Sequence, residues 1–131
     1  MALISDRNTP KRDAKTLVIR VGAGVHIHAG SQVVLSAAAL AIPGKTATGL
    51  TYVGRAEESV DNTAGSDGAA TVEISRGAAF KWDNDGSISQ AHLLKRAYVV
   101  DDATVSATDG GGTRSASGLV VAIDSDGVWV E

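Results

Sequence analysis

No cysteine occurs among the 131 residues. This excludes disulfide stapling and thiolate metal sites, and it fits a protein made in a reducing cytoplasm. Aromatic residues are nearly as scarce: two Trp, two Tyr and one Phe. The core must therefore come from Val, Ile, Leu and Ala, which suits a thin barrel or sandwich better than a deep ligand cavity. Two prolines against 15 glycines mean that turns are many and rest mostly on glycine. No apolar run approaches the ~20 residues that span a bilayer as a helix, so no membrane partner is expected. After Met1 the run Ala2-Leu3-Ile4 is broken at once by Ser5, Asp6 and Arg7. That is too short for the apolar region of a signal peptide.

Charge is modest in total and uneven in distribution. The formal net charge is −3. Residues 1–16 hold Arg7, Lys11, Arg12 and Lys15 against Asp6 and Asp13, a net of +2. The remaining residues set eight basic groups against thirteen acidic ones, a net of −5. A basic arm on an acidic body argues against direct nucleic-acid binding, which calls for a dominant basic face.

The hydrophobic pattern has the period of strands. Residues 1–16 show no apolar period, include the turn signal Asn8-Thr9-Pro10, and read as an extended N-terminal arm. From Thr16 onward come short β-branched runs, "TLVIRV", "VHIHA", "QVVLSA" and "LAI", punctuated by glycine and Pro43-Gly44. Two longer segments follow, 50–62 and 70–82, joined by a hairpin-like loop. "SQAHLL" (89–94) is the one helical candidate, with Ser89 as N-cap. "AYVV" and "TVSAT" flank Asp101-Asp102 as a tight hairpin, and a glycine loop fills 109–113. "SGLVVAID" and "VWVE" form a closing hairpin with Gly127 in a left-handed turn position. The expected fold is all-β: a small antiparallel barrel or sandwich, jelly-roll-like, with one short helix and the N-terminal arm. Residues 17–131 read as a single β-rich domain.

Several stretches imitate known sites. "ALAIPGKTATG" (38–48) ends like a phosphate-binding P-loop, and "LVVAID" ends on Asp124 as a Walker B strand does. The first glycine of the P-loop is replaced by Ala39, Pro43 removes an amide donor, and β-branched residues follow where a helix should start. "PGKT" therefore reads as a turn, and Asp124 as part of an antiparallel hairpin. "KWDNDGSISQAH" (81–92) threads onto a calcium loop only with Lys81 and His92 in ligand positions, which the chemistry forbids. His26 and His28 share one face of a strand but lack a third ligand nearby, since His92 sits in the helical segment. The pairs Glu57-Glu58 and Asp101-Asp102 send their side chains to opposite faces of a strand, and no serine stands in a nucleophile elbow. No catalytic set, metal site or cofactor is expected.

Three pieces of the chain resemble a family of small proteins from the head-gene clusters of tailed phages and prophages. They are the opening "ALISDRNTPKRDA", the segment "TGLTYVGRAEESVDN" with its loop and "ATVEISRG", and the ending "GLVVAIDSDGVWVE". The most specific are "VGRAEE" with the following "VDN", and the terminal "DGVWVE". The resemblance implies a capsid decoration, or cement, protein on the outer head surface of the virion, β-rich and homo-oligomeric as a dimer or trimer. Its partners would be the major capsid protein and further copies of itself. A recombinase-like label attached to some members finds no support in the broken P-loop. Arg7, Lys11, Arg12 and Lys15 are then the candidate capsid contacts, because extended segments bind by adding backbone hydrogen bonds to a sheet edge. A carbohydrate-binding barrel on the virion surface is the alternative, and an exposed Trp82 or Trp129 would favour it.

Overall fold

Short alternating runs can bury their apolar face only by pairing, and the computed structural model, which describes residues 1–131, shows how they do so. Twelve strands form: β1 (Thr16–Arg20), β2 (His26–Ile27), β3 (Gln32–Leu35), β4 (Ala41–Pro43), β5 (Thr51–Ala56), β6 (Val60–Asp61), β7 (Thr71–Ser75), β8 (Phe80–Asn84), β9 (Arg96–Val99), β10 (Thr104–Ser106), β11 (Ala116–Asp124) and β12 (Gly127–Val130). They divide between two units. The first is a five-stranded antiparallel sheet in the order β1-β7-β5-β3-β4, capped by the small ribbon β2-β6. The second is a closed barrel, β10-β8-β12-β11-β9, antiparallel except where β10 runs beside β8. The all-β expectation holds. The jelly-roll-like arrangement gives way to two five-stranded units.

Each unit has its own apolar cluster. Val21, Ile27, Val33, Ala41, Val53, Ala56, Val72 and Ile74 fill the sheet unit. Phe80, Trp82, Ile88, Ala97, Val105, Val120, Val128 and Val130 fill the barrel. The segment 70–82, which reads as one long strand, is cut between them: β7 ends at Ser75, Gly77 turns with φ 74°, and β8 enters the barrel. Segment 50–62 likewise divides, β5 pairing with β7 and β6 with β2.

The seam between the units is polar. Gln32, at 0% exposure, donates from Nε2 to the Asp101 carbonyl (2.9 Å) and accepts at Oε1 from the Ser117 hydroxyl (2.9 Å). Its backbone amide donates to the Asp102 carbonyl at 2.7 Å. Ser115 Oγ donates to the Ala47 carbonyl (2.6 Å) and accepts from the Leu50 amide (3.0 Å). These bonds satisfy polar groups that burial would otherwise leave unpaired.

The helical candidate shrinks to one 3-10 turn, Gln90–His92, with Ser89 as its N-cap residue. The Ser89 amide donates to His92 Nδ1 at 3.0 Å. Leu93 is already extended, and Leu94 takes φ 61°, which ends the turn. Gly127 is also reassigned. It is not in the left-handed region; its hydrogen is required because a Cβ there would lie 2.8 Å from Lys81 Cε and 3.0 Å from the Trp82 carbonyl.

Candidate functional site

"PGKT" belongs to the seam. Pro43 ends β4, the Gly44 amide donates to the Gln32 carbonyl at 2.8 Å, and Lys45 forms a backbone bridge with Asp101. The Thr46 hydroxyl donates to the Val100 carbonyl at 2.8 Å. The Gly44 amide, which a P-loop would direct at phosphate, is thus committed to the protein. Gly44 stands here for space: a Cβ would meet the Asp101 carbonyl at 2.8 Å and Val99 Cγ1 at 3.1 Å. Asp124 pairs with Gly127 across the β11–β12 turn, as an antiparallel hairpin requires.

The calcium-loop imitation is equally self-satisfied. Asn84 Oδ1 accepts from the Gly86 amide (2.8 Å) and the Ile88 amide (3.2 Å). Asp85 Oδ1 accepts from both the amide and the hydroxyl of Ser87. Partial burial pushes the Asp85 carboxyl up, but the bonds from Ser87 and Ser106 and the nearby Arg114 charge outweigh it and hold the group low. These oxygens hold their own loop together.

His26 and His28 come together as the strand period demands, with ring centroids 4.3 Å apart and exposed side chains. His26 lies opposite Asp61 in the β2-β6 ribbon, and His92 lies in the other unit. No group of three His, Asp or Glu residues has metal-binding geometry. The glycine loop carries Gly110, Gly111 and Gly112 all at positive φ, closed by the Asp109 carbonyl accepting from the amides of Thr113 and Arg114.

Arg7, Lys11, Arg12 and Lys15 are all exposed and make no ion pair. Residues 1–15 contain no helix or strand. The first bond from this segment to the rest of the chain is made by the Lys15 carbonyl, which accepts from the Arg76 amide at 2.8 Å. Arg7, Lys11 and Arg12 therefore precede the first bond to the folded body, and Lys15 lies at it beside Gly77, on an acidic background concentrated in the barrel. Residues 77–131 carry four basic against eight acidic groups.

Two surface features were not legible in sequence. Trp129 is 36% exposed, while Trp82 is buried at 4%. The Trp129 indole N–H donates to Asp124 Oδ2 at 2.8 Å, and Lys81 Nζ lies 5.9 Å from its ring centroid. Lys81 also pairs with Asp126 at 2.5 Å and Asp124 at 3.5 Å; the Asp126 bond is the main reason its ammonium is held protonated to higher pH. Beside this cluster lies a recess of about 230 Å3, lined by Arg55, Phe80, Lys81, Trp82 and Trp129 among others. The second feature is apolar: Leu93, Leu94 and Leu119 are exposed at 38%, 68% and 38%. The Leu94 amide donates to the Val120 carbonyl at 2.7 Å, which brings the three side chains to one region of the barrel. The double leucine closes the helical candidate 89–94 in sequence, and in the structure Leu94 takes φ 61°.

Deep in the seam, Tyr52 Oη and Trp82 Nε1 lie near each other without hydrogen-bond geometry, and neither has another partner. Burial raises the Tyr52 phenol above its usual value, the Trp82 indole opposing only in part. No protein-family model, no curated protein and no solved structure matches this chain.

Proposed function

We propose that this protein decorates the outer surface of a phage head and stabilises it by bridging neighbouring capsid subunits. The observation that carries the reading is the N-terminal segment: fifteen exposed residues with four unpaired cations, leading straight into β1 of a close-knit β body. The resemblance of "VGRAEE" and "DGVWVE" to head-cluster proteins supports it from the sequence side. A body of this size offers a modest interface per copy, and modest interfaces are weak one by one. Many copies on one particle make the contacts sum, and each bridge adds its own cost to separating two subunits. Arg7, Lys11, Arg12 and Lys15 supply salt-sensitive pairs with capsid carboxylates.

The test uses undecorated expanded heads. The purified protein adds at a fixed stoichiometry and raises the temperature at which heads release DNA, and deletion of residues 2–15 weakens the addition without unfolding the body. A protein that neither binds heads nor occurs in purified virions overturns the proposal.

One observation favours the second reading, a carbohydrate-binding surface: the exposed Trp129 beside Lys81, Asp124 and Asp126. Sugars stack on such rings while charged neighbours take their hydroxyls. A glycan-array signal abolished by Trp129→Ala supports this reading, and an array without signal removes it.

A further inference from the structure

The sheet unit has two edges, and they are not alike. β4 is three residues long, ends in Pro43, and is partly covered where the Gly22 amide donates to the Ala41 carbonyl. β1 is five residues long, with neither proline nor bulge, and pairs only with β7. The bonds Arg76 N to Lys15 O and Val21 N to Ala70 O mark residues 15 and 21 as hydrogen-bonded positions of that ladder. Antiparallel alternation then directs residues 17 and 19 at β7 and turns Thr16, Val18 and Arg20 outward. The outward groups of Thr16 and Val18 have no strand on the outer side, whereas beyond Arg20 the chain meets β4, Val21 bridging Ala41 in parallel. At the centre of this edge Val18 is 66% exposed. An uncovered edge of this kind is a template for another chain.

The same molecule carries an unpaired segment suited to it. Leu3 and Ile4 are 70% and 99% exposed, and nothing before Lys15 bonds to the body. The cations that follow them find complementary charge beside the edge. Glu73 lies opposite Val18 on β7, and its amide donates to Glu58 Oε1 at 3.2 Å, so Glu58 and Glu73 meet on the outer face without a cationic partner.

We propose that the β1 edge accepts the N-terminal segment of a second copy as an added strand. Residues 2–6 bond to the outward groups of Thr16 and Val18, and Arg7, Lys11 or Arg12 reach Glu58 and Glu73. Free copies thus associate through the segment that a shell also engages, and the shell competes for it. The inference concerns protein in solution, so its failure leaves the head proposal standing, and failure of the head proposal leaves this one standing.

The experiment is sizing of the full chain by light scattering over a range of concentrations, alongside three variants. Ile4→Asp, at a fully exposed position, leaves folding untouched and removes the apolar contact. Val18→Pro removes an outward amide only, a change edge strands tolerate; circular dichroism checks its fold. Glu73→Lys reverses the charge beside the edge. The expected result is a concentration-dependent oligomer for the full chain, lost in all three variants. Mixing a chain lacking residues 2–14 with the Val18→Pro chain should restore a complex, since one retains the acceptor and the other the donor. Three outcomes overturn the proposal: a full chain monomeric at all concentrations, an oligomer that survives deletion of residues 2–14, or concentration-independent protection of the Thr16 and Val18 amides from exchange, which would place the segment on its own edge.

Discussion

Ser117 donates its hydroxyl to Gln32 Oε1 at 2.9 Å, joining two fully buried side chains that lie 85 residues apart. The bond crosses from β11 of the barrel to β3 of the sheet, and the same amide holds the Asp101 carbonyl through Nε2. The two apolar clusters are thereby locked by a neutral polar contact rather than by continuous apolar packing. A buried group with all its partners present rigidifies such a seam, and one with a partner removed weakens it sharply.

Replacing Gln32 by Ala removes the partner of the buried Ser117 hydroxyl and of the Asp101 carbonyl at the seam. The expected loss is about 2–4 kcal/mol in urea unfolding. Ser117→Ala should cost about 1–2 kcal/mol, and the double variant less than the sum, because both remove one bond. Additive losses would show that the two side chains act independently.

Gly44→Ala and Lys45→Ala separate a steric role from a phosphate-binding one. The new Cβ at position 44 would press on the Asp101 carbonyl at 2.8 Å, with an expected loss of about 1–3 kcal/mol. Lys45 is exposed, and its removal should change stability by no more than about 0.5 kcal/mol. Calorimetry with ATP should show no heat of binding for either protein; micromolar affinity abolished by Lys45→Ala would restore the P-loop reading.

Asp85 sets a contribution at the acid end. Its carboxyl is held below the ordinary value of 3.8 in the folded chain, so the unfolded chain binds the proton more readily. The stabilisation is complete above that ordinary value and is lost as pH falls through the lower folded one. Asp85→Asn should flatten the acid limb of a stability–pH curve, by no more than about 1 kcal/mol given the group's exposure. An unchanged acid limb would remove Asp85 from the account.

Trypsin should cut the free protein, diluted until it is monomeric, early at Arg7, Lys11, Arg12 or Lys15 and then stop, since the next basic residue, Arg20, lies within β1. Bound to heads, the same sites should be cut far more slowly. Equal rates in the two states would separate the segment from any role on the shell.

The two tryptophans should report different surroundings. Trp82 is buried and Trp129 partly exposed, so iodide should quench a Trp82→Phe protein well and a Trp129→Phe protein poorly. The reverse order would mean that β12 presents its other face.

What the sequence determined was local. Alternation in "TLVIRV" and "TVEIS" placed β1 and β7, because a period of two is written in adjacent residues. The Asp101-Asp102 hairpin between β9 and β10, the closing hairpin of β11 and β12, the turn at "PGKT" and the change of texture at Thr16 were legible for the same reason. Tertiary structure decided what depends on distant partners. Residues 70–82 look continuous, yet their halves pair with strands of different units. Gly127 looked like a left-handed turn residue, but what crowds it is the Lys81 side chain and the Trp82 carbonyl from the adjacent strand. Gln32 is polar and gives no local sign of burial until Asp101 and Ser117 are brought to it. The open edge of β1 at Thr16 and Val18 exists because β4 reaches the chain only beyond it, at Val21. Strand pairing joins residues tens of positions apart, so its register and its vacancies leave no mark in any short window of sequence.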